Sequence, residues 1–113
     1  MLQNKEKINP SIIAILNEFK KILQNLYGNN LQKLILYGSY ARGEERNYSD
    51  IDIAIIFKRL DNPYKEIDKI NEATYDLDIE NNIILNFYPI SENEFNSRNL
   101  SFYKTIKIEG IVI

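Results

Sequence analysis

The chain has 113 residues, a formal net charge of −2, and apolar and charged fractions of 44% and 27%. This length predicts one domain, residues 1–113, which can bury about 65% of the surface that its unfolded chain exposes. The nearly balanced charge argues against a broad basic surface for a long template, so we do not expect nucleic acid as a partner.

Two missing residue types limit the chemistry further. The sequence has no cysteine and no histidine, which excludes disulfides, thiolate nucleophiles and the commonest general base. A bound metal must therefore have oxygen ligands, which favours Mg²⁺, Mn²⁺ or Ca²⁺. No apolar run approaches the roughly 20 residues that span a bilayer, and no signal peptide is evident. We therefore expect a cytoplasmic protein without membrane contact.

The first predicted helix starts at Asn9-Pro10, because asparagine caps helix N-termini and proline is favoured at the first helical position. Gly28 and the two asparagines that follow it end this helix. Apolar residues recur between these limits at helical spacing. The residues of this stripe are Ile12, Ile13, Leu16, Phe19, Leu23 and Leu26.

Two apolar runs predict the central strands of a sheet. Residues 32–37 form the first run and residues 51–57 form the second, and each is bounded by turn-forming residues. Between them we expect a short helix near residues 39–43 and a polar loop over residues 44–49.

The second half of the chain alternates helix and strand. A break at residues 61–63 predicts the start of a helix over residues 64–77. A third strand follows at residues 83–88, then a short helical turn at residues 91–96 and a terminal helix at residues 100–109. An apolar tail after this helix could pack on the core or on a partner.

The alternation of strands and helices predicts the fold class. We expect an α/β (α+β) domain in which a small mixed β-sheet is covered by helices. No repeat, low-complexity linker or second domain interrupts this pattern.

The segment from residue 38 to residue 52 combines features of an anion site and a cation site. Gly38 lacks a Cβ, so the backbone can approach a phosphate, and Ser39 adds a hydroxyl donor where a helix is expected to start. Asp50 and Asp52 are two residues apart, so on a strand both face the same side, roughly 6–7 Å apart. Such a pair can hold a divalent cation that accompanies a nucleoside triphosphate.

Arg42 lies about one helical turn after Ser39 and could contact a phosphate or a protein partner. The alternative for Arg42 is a surface ion pair with Glu45. Three tyrosines flank the segment, and one of them could stack on a nucleobase. These tyrosines are Tyr37, Tyr40 and Tyr48.

Gly38-Ser39, ten intervening residues and Asp50-Ile51-Asp52 together resemble the signature of the DNA polymerase beta nucleotidyltransferase superfamily. The segments Ala41-Arg42-Gly43 and Ser49-Asp50 resemble its minimal nucleotidyltransferase (MNT) branch. Many members of that branch are MntA-type antitoxins, which are paired with HEPN-domain ribonuclease toxins.

The resemblance implies a polymerase-beta-like fold and a specific reaction. Asp50 and Asp52 would be the catalytic residues and would bind Mg²⁺ or Mn²⁺, while Gly38, Ser39 and Arg42 would bind the phosphates of ATP. AMP would be transferred to a tyrosine of a HEPN toxin, the implied protein partner, which would be silenced. A homo-oligomer or a hetero-oligomer is compatible with this function.

The sequence departs from the superfamily pattern at one position. Active members usually add a third carboxylate from a neighbouring strand, but the predicted strand at residues 83–88 contains no acid. Asn86 is its polar candidate for the third metal ligand, and an amide is a weaker, uncharged ligand. Asp76, Asp78 and Glu80 lie just upstream, and one of them could approach the site.

This departure leaves other functions open. The chain could be a catalytically weak or inactive binding module that neutralises a partner by contact. It could also be a small-molecule nucleotidyltransferase, although those enzymes usually carry an additional helical domain. A template-directed polymerase is the least favoured alternative, because no further elements for holding a template are evident.

Overall fold

The computed structural model describes residues 8–46 and 49–113 of the chain. Tyr48, one of the three tyrosines considered for base stacking, lies outside these described residues. In chain order the elements are α1 (Pro10–Tyr27), a 3₁₀ turn (Gly28–Asn30), β1 (Leu31–Tyr37), α2 (Ser39–Arg42), β2 (Ile51–Phe57), α3 (Pro63–Asn81), β3 (Leu85–Ser91), α4 (Glu92–Ser97), α5 (Ser101–Glu109) and β4 (Ile111–Val112).

The strands form a four-stranded mixed sheet in the order β3-β2-β1-β4. β1 is antiparallel to both β2 and β4, whereas β2 and β3 are parallel. A parallel pair needs a crossover connection, and α3 supplies it. The predicted fold class, a small mixed sheet covered by helices, is confirmed.

Most of the core lies on the sheet face that α1 and α3 cover. On this face the central strands are almost entirely apolar, and Phe19 and Leu23, four residues apart on α1, are completely buried against them. Burial of such side chains stabilises the fold by about 1.5–3 kcal/mol each. The buried strand residues of this layer are Leu34, Leu36, Ile51, Ile53, Ile55, Phe57, Leu85 and Ile111.

The opposite face of the sheet is covered at one end only. There α4 and α5 close a smaller cluster over β1, β2 and β3. Its buried residues are Ile35, Ala54, Ile56, Ile90, Phe95, Tyr103 and Ile106. Further along the same face, Tyr37 pairs with Asp52 in the β1–β2 register, and Asp52 pairs with Asn86 in the β2–β3 register. Since paired residues share a face, these three side chains lie together at the border of the covered region, where Tyr37 packs against the smaller cluster.

The predicted helix starts agree with the structure. Asn9 Oδ1 accepts a hydrogen bond from the Ser11 N–H at 3.0 Å, and Pro10 is the first residue of α1. Asn62 Oδ1 caps α3 in the same way at 3.3 Å, one residue before Pro63.

Two elements in the second half of the chain have boundaries that differ from the predicted ones. α3 continues to Asn81 rather than residue 77, because its stop is Asn82 in a left-handed conformation (φ 51°). β3 runs over Leu85–Ser91 rather than residues 83–88, because its limits are set by pairing with the whole of β2. Pro89 is tolerated inside β3 because this strand lies at the edge of the sheet.

The apolar tail forms a strand on the sheet. Ile111 pairs with Leu36 and Val112 pairs with Ile35. The tail thus packs on the protein's own core, one of the two possibilities left open by the sequence. Among the described residues, no helix is long and apolar enough to span a membrane.

Candidate active site

The side chains of Asp50 and Asp52 converge on Asn86. Asp50 immediately precedes β2, Asp52 is its second residue, and Asn86 is the second residue of the parallel strand β3. Asn86 Nδ2 donates hydrogen bonds to Asp50 Oδ2 at 2.9 Å and to Asp52 Oδ1 at 3.5 Å. The structure therefore brings Asp50 and Asp52, the two predicted metal ligands, together with Asn86, the candidate for the third ligand.

Gly38 forms the bend between β1 and α2, against Asp52. Its backbone has φ 76° and ψ −155°, a conformation open to glycine and very unfavourable for other residues. A Cβ on Gly38 would collide with the carboxylate of Asp52. The N–H groups of Ala41 and Arg42 donate to the Gly38 carbonyl and start the short helix with Ser39 as its first residue. The missing side chain thus lets a carboxylate lie directly beside the candidate phosphate-binding turn.

Arg42 is held by carboxylates on both sides. Its Nη1 donates to both oxygens of Glu109 at 3.2 Å, and its Nε donates to Glu44 Oε2 at 3.1 Å. The alternative predicted for Arg42, a surface ion pair with Glu45, was wrong. Glu45 accepts a hydrogen bond from Asn9 instead. Arg42 lies at the turn that its sequence position predicted, and its contact with phosphate remains a prediction.

Glu109 is a component of the site that sequence reasoning missed. Besides pairing with Arg42, its Oε1 accepts a hydrogen bond from the Gly38 N–H at 3.1 Å. Only 17% of this side chain is exposed. No motif links residue 109 to residue 38, and only the pairing of the apolar tail with β1 could have indicated their proximity.

The charges of the site affect one another. Burial raises the pKa of Asp52, and the nearby carboxylates of Asp50 and Glu109 act in the same direction, while the Asn86 hydrogen bond and Arg42 oppose the rise. Burial, with help from the charge of Asp52, raises the pKa of Tyr37 to about 12. Tyr37 is therefore a neutral hydroxyl group beside the carboxylates at neutral pH.

A cleft of about 490 Å³ adjoins Asp50, and Tyr40, Ser49 and Asp78 are among its other lining residues. Asp78 is the upstream acid that reaches this cleft. One of its oxygens is buried without a hydrogen-bond partner among the described residues. Burial raises the pKa of Asp78, although a hydrogen bond from the Leu85 N–H acts to lower it. The other two upstream acids, Asp76 and Glu80, are exposed on α3.

Two exposed aromatic rings, those of Tyr88 and Phe102, adjoin the half-buried ring of Tyr37, which lies opposite Asp52 on this sheet face. Phe102 of α5 makes edge-to-face contacts with Tyr37 and Tyr88, with ring centroids 5.6 and 5.1 Å apart. Of the three tyrosines named from the sequence, Tyr37 belongs to this group and Tyr40 lines the cleft. Base stacking by either one stays a prediction.

The residues present fit one divalent cation. Carboxylate and amide oxygens are the ligands that hard cations take, and two carboxylates already converge on a single position occupied by the Asn86 amide. Rotation of that amide by about 180° would present its oxygen in place of its nitrogen. Within residues 8–46 and 49–113, no group of three or more acidic side chains has metal-binding geometry. A cation here would therefore depend on Asp50, Asp52 and the Asn86 oxygen.

Comparisons with known proteins identify relatives of the chain by sequence. A model of the nucleotidyltransferase domain family matches residues 16–113. A Methanocaldococcus jannaschii protein named "Putative protein adenylyltransferase MJ0604" is 32% identical over 99 residues, which cover 87% of this chain and 93% of that relative.

Two solved structures have a similar fold. A toxin–antitoxin complex with AMP-PNP gives a TM-score of 0.59 at 23% identity, with 85% of this chain and 69% of that chain covered. A mutant of the toxin–antitoxin complex MntA-HpeT gives a TM-score of 0.59 at 22% identity, with the same coverage of 85% and 69%. The resemblance to minimal nucleotidyltransferase domains that residues 38–52 indicated is confirmed. The chain belongs to the nucleotidyltransferase domain family.

Proposed function

We propose that this protein is an antitoxin that transfers AMP from ATP, with a divalent metal ion, to a tyrosine of a HEPN-domain ribonuclease toxin. The observation that carries this proposal is the convergence of Asp50 and Asp52 on one position, directly beside the Gly38–Ser39 turn. A relative named as a protein adenylyltransferase and a similar fold in toxin–antitoxin complexes support the choice of reaction and partner.

In the proposed reaction, the tyrosine oxygen forms a bond to the α-phosphorus of ATP while the bond to pyrophosphate breaks. The phenolic proton is released to water. Such a transfer depends on positioning and on stabilisation of the negative charge that develops on the phosphate oxygens. A divalent cation held by Asp50 and Asp52 would supply positive charge at that point.

The other residues of the site position the triphosphate. Ser39 offers a hydroxyl donor at the start of α2, and the missing side chain of Gly38 leaves room for the Asp52 carboxylate, so a cation held there would lie next to the triphosphate on this turn. Arg42 would exchange its contact with Glu44 for phosphate oxygens. Since both of those side chains are well exposed (42% and 66%), that exchange costs little.

The direct test is incubation of the protein with labelled ATP, Mg²⁺ and a candidate HEPN toxin, followed by mass spectrometry of the toxin. We expect an AMP adduct on a tyrosine with the wild-type protein and none with Asp50→Ala/Asp52→Ala. The variant Asp76→Ala/Glu80→Ala removes the same charge from an exposed helix surface and should retain transfer. Absence of the adduct with intact ATP binding and the correct toxin would contradict the proposal.

A second candidate function is neutralisation of the toxin by contact alone. Asn86 favours it, because an uncharged amide stands where a third carboxylate would complete a metal site. This alternative requires that folded Asp50→Ala/Asp52→Ala still protects cells from the toxin. Loss of protection by that folded variant would exclude neutralisation by contact.

A further inference from the structure

Glu109 connects the C-terminal helix to the turn between β1 and α2. Its carboxylate accepts one hydrogen bond from the Gly38 N–H at 3.1 Å and hydrogen bonds from Arg42 Nη1 at 3.2 Å. With 17% of the side chain exposed, this charged contact is less weakened by water than a surface pair. Glu109 therefore holds both the backbone and the charged side chain of the candidate phosphate-binding segment.

The backbone next to Glu109 is anchored by the sheet. The Gly110 N–H donates to the Ile106 carbonyl at 2.8 Å, and Ile111 pairs with Leu36, two residues before Gly38. Ile106 and Ile111 are completely buried. The carboxylate is thus presented to the turn from a rigid part of the fold rather than from a mobile surface.

The Gly38 peptide lies between two carboxylates that come from distant parts of the chain. Asp52 occupies the space where a Gly38 side chain would be, while Glu109 accepts from the Gly38 N–H. A change at residue 109 therefore alters the turn, Arg42 and the charge near the aspartates together.

We propose that Glu109 is a positioning residue for nucleotide binding. It holds the Gly38–Ser39 turn and the Arg42 guanidinium in the orientation in which a triphosphate meets both. Its negative charge adds to the field that attracts a divalent cation toward Asp50 and Asp52. This role presupposes the nucleotidyltransferase function proposed above.

The test uses two substitutions and a binding probe that needs no acceptor. Glu109→Gln keeps an acceptor for the Gly38 N–H but removes the charge, whereas Glu109→Ala removes both. The probe is the non-hydrolysable analogue α,β-methylene-ATP with Mg²⁺, and its Kd is measured by calorimetry. We expect the Kd to rise about tenfold in Glu109→Ala and about threefold in Glu109→Gln, since a tenfold change corresponds to about 1.4 kcal/mol.

Glu94 provides a matched control on α4. It also bridges an arginine and a second donor, through hydrogen bonds from Arg98 Nη1 and the Tyr103 hydroxyl. Glu94→Gln should lower the melting temperature without changing the Kd of the analogue by more than about twofold. This comparison separates loss of a stabilising carboxylate from loss of the positioning role.

Amide hydrogen exchange gives a second readout in the nucleotide-free protein. Glu109→Ala should accelerate exchange of the Gly38 amide, because that N–H loses its acceptor. Unchanged exchange would overturn the positioning role even if the nucleotide Kd changed.

The binding results separate the two proposals. Suppose that the wild-type protein binds the analogue and that both folded Glu109 variants bind it with an unchanged or lower Kd. This result would overturn the role of Glu109 and leave the proposed function intact. No binding of the analogue by the wild-type protein would overturn both.

Discussion

Asn86 stands directly across from Asp52 in the parallel pair of β2 and β3, with its amide nitrogen 2.9 Å from Asp50 Oδ2. A neutral donor thus lies between two carboxylates, at the position where a third acid would complete a cation site. The hydrogen bonds that it donates offset the repulsion between the two aspartates.

Asn86→Asp should make the stability of the protein depend on divalent cations. Without metal, a third negative charge replaces a donor, and we expect the free energy of unfolding to fall by about 1–2 kcal/mol. Mg²⁺ or Mn²⁺ should restore it, because three carboxylates bind a hard cation more strongly than two. Thermal melts with EDTA and with each cation measure this effect.

Asn86→Ala is the control for that experiment, because it removes the same hydrogen bonds without adding a charge. It should be destabilised with no larger response to cations than the wild-type protein. If Mg²⁺ and Mn²⁺ do not change the melting temperature of Asn86→Asp, the three side chains do not share a cation position.

Gly38→Ala should be far more damaging than Gly43→Ala. Both glycines have positive φ, but Gly43 (φ 73°, ψ 25°) is in the left-handed α region, where alanine costs about 1–2 kcal/mol, whereas Gly38 (φ 76°, ψ −155°) is in a region almost restricted to glycine, where the cost is about 1–3 kcal/mol. At Gly43 nothing lies near the added Cβ, whereas at Gly38 the Cβ meets the Asp52 carboxylate. We expect an additional loss of about 1–3 kcal/mol at Gly38 from this overlap, measured by urea unfolding. Equal losses in the two variants would contradict the close approach of Asp52.

Glu94 should contribute stability that disappears in acid. The Tyr103 hydroxyl at 2.5 Å and then Arg98 at 3.1 Å lower the pKa of Glu94 below its ordinary value of 4.5. A carboxyl group with a lower pKa in the folded state stabilises above the unfolded pKa, and this contribution is lost as pH falls through the folded pKa. The advantage of the wild type over Glu94→Gln should be at most about 1 kcal/mol at neutral pH, because the side chain is partly exposed.

Urea unfolding of both proteins at neutral pH and at about pH 3 tests this dependence. Glu18→Gln serves as the control, because it removes an exposed pair with Lys21 at 3.7 Å and should change stability little. A gap between wild type and Glu94→Gln that persists undiminished in acid would contradict the assignment.

Asp78 should have the opposite pH dependence. Burial raises its pKa above the ordinary value of 3.8, so its charged form destabilises the folded state, and this penalty appears as pH rises through the raised pKa. Asp78→Asn should therefore be more stable than the wild type at neutral pH, by at most about 0.5 kcal/mol, because the side chain is only partly buried and water screens its charge. The gain should vanish as pH falls below 3.8.

Asp76→Asn on the exposed side of α3 provides the reference in the same unfolding experiments. It should show little change at either pH. A neutral-pH loss of stability in Asp78→Asn would mean that its buried oxygen has a favourable partner when charged.

Local sequence signals predicted the helix starts well, but they failed for features that depend on contacts between distant parts of the chain. Asn9-Pro10 and Asn62-Pro63 carry their own capping chemistry, so the starts of α1 and α3 were correct. The limits of β3 were wrong because they depend on alignment with β2, not on residues 83–88 themselves. The alternative predicted for Arg42, an ion pair with Glu45, was also wrong, since Arg42 pairs with Glu44 and with Glu109 from the other end of the chain.

The sequence by itself determined the family and indicated the candidate site, because Gly38, Ser39, Asp50 and Asp52 fall within one turn and one strand start, where spacing alone fixes which side chains share a face. Only the tertiary structure decided what completes that site. Asn86 arrives through the register of two strands joined by a helix, and Glu109 arrives through the pairing of a short terminal strand with β1. Such registers depend on burial of whole sheet faces, and no local spacing encodes them.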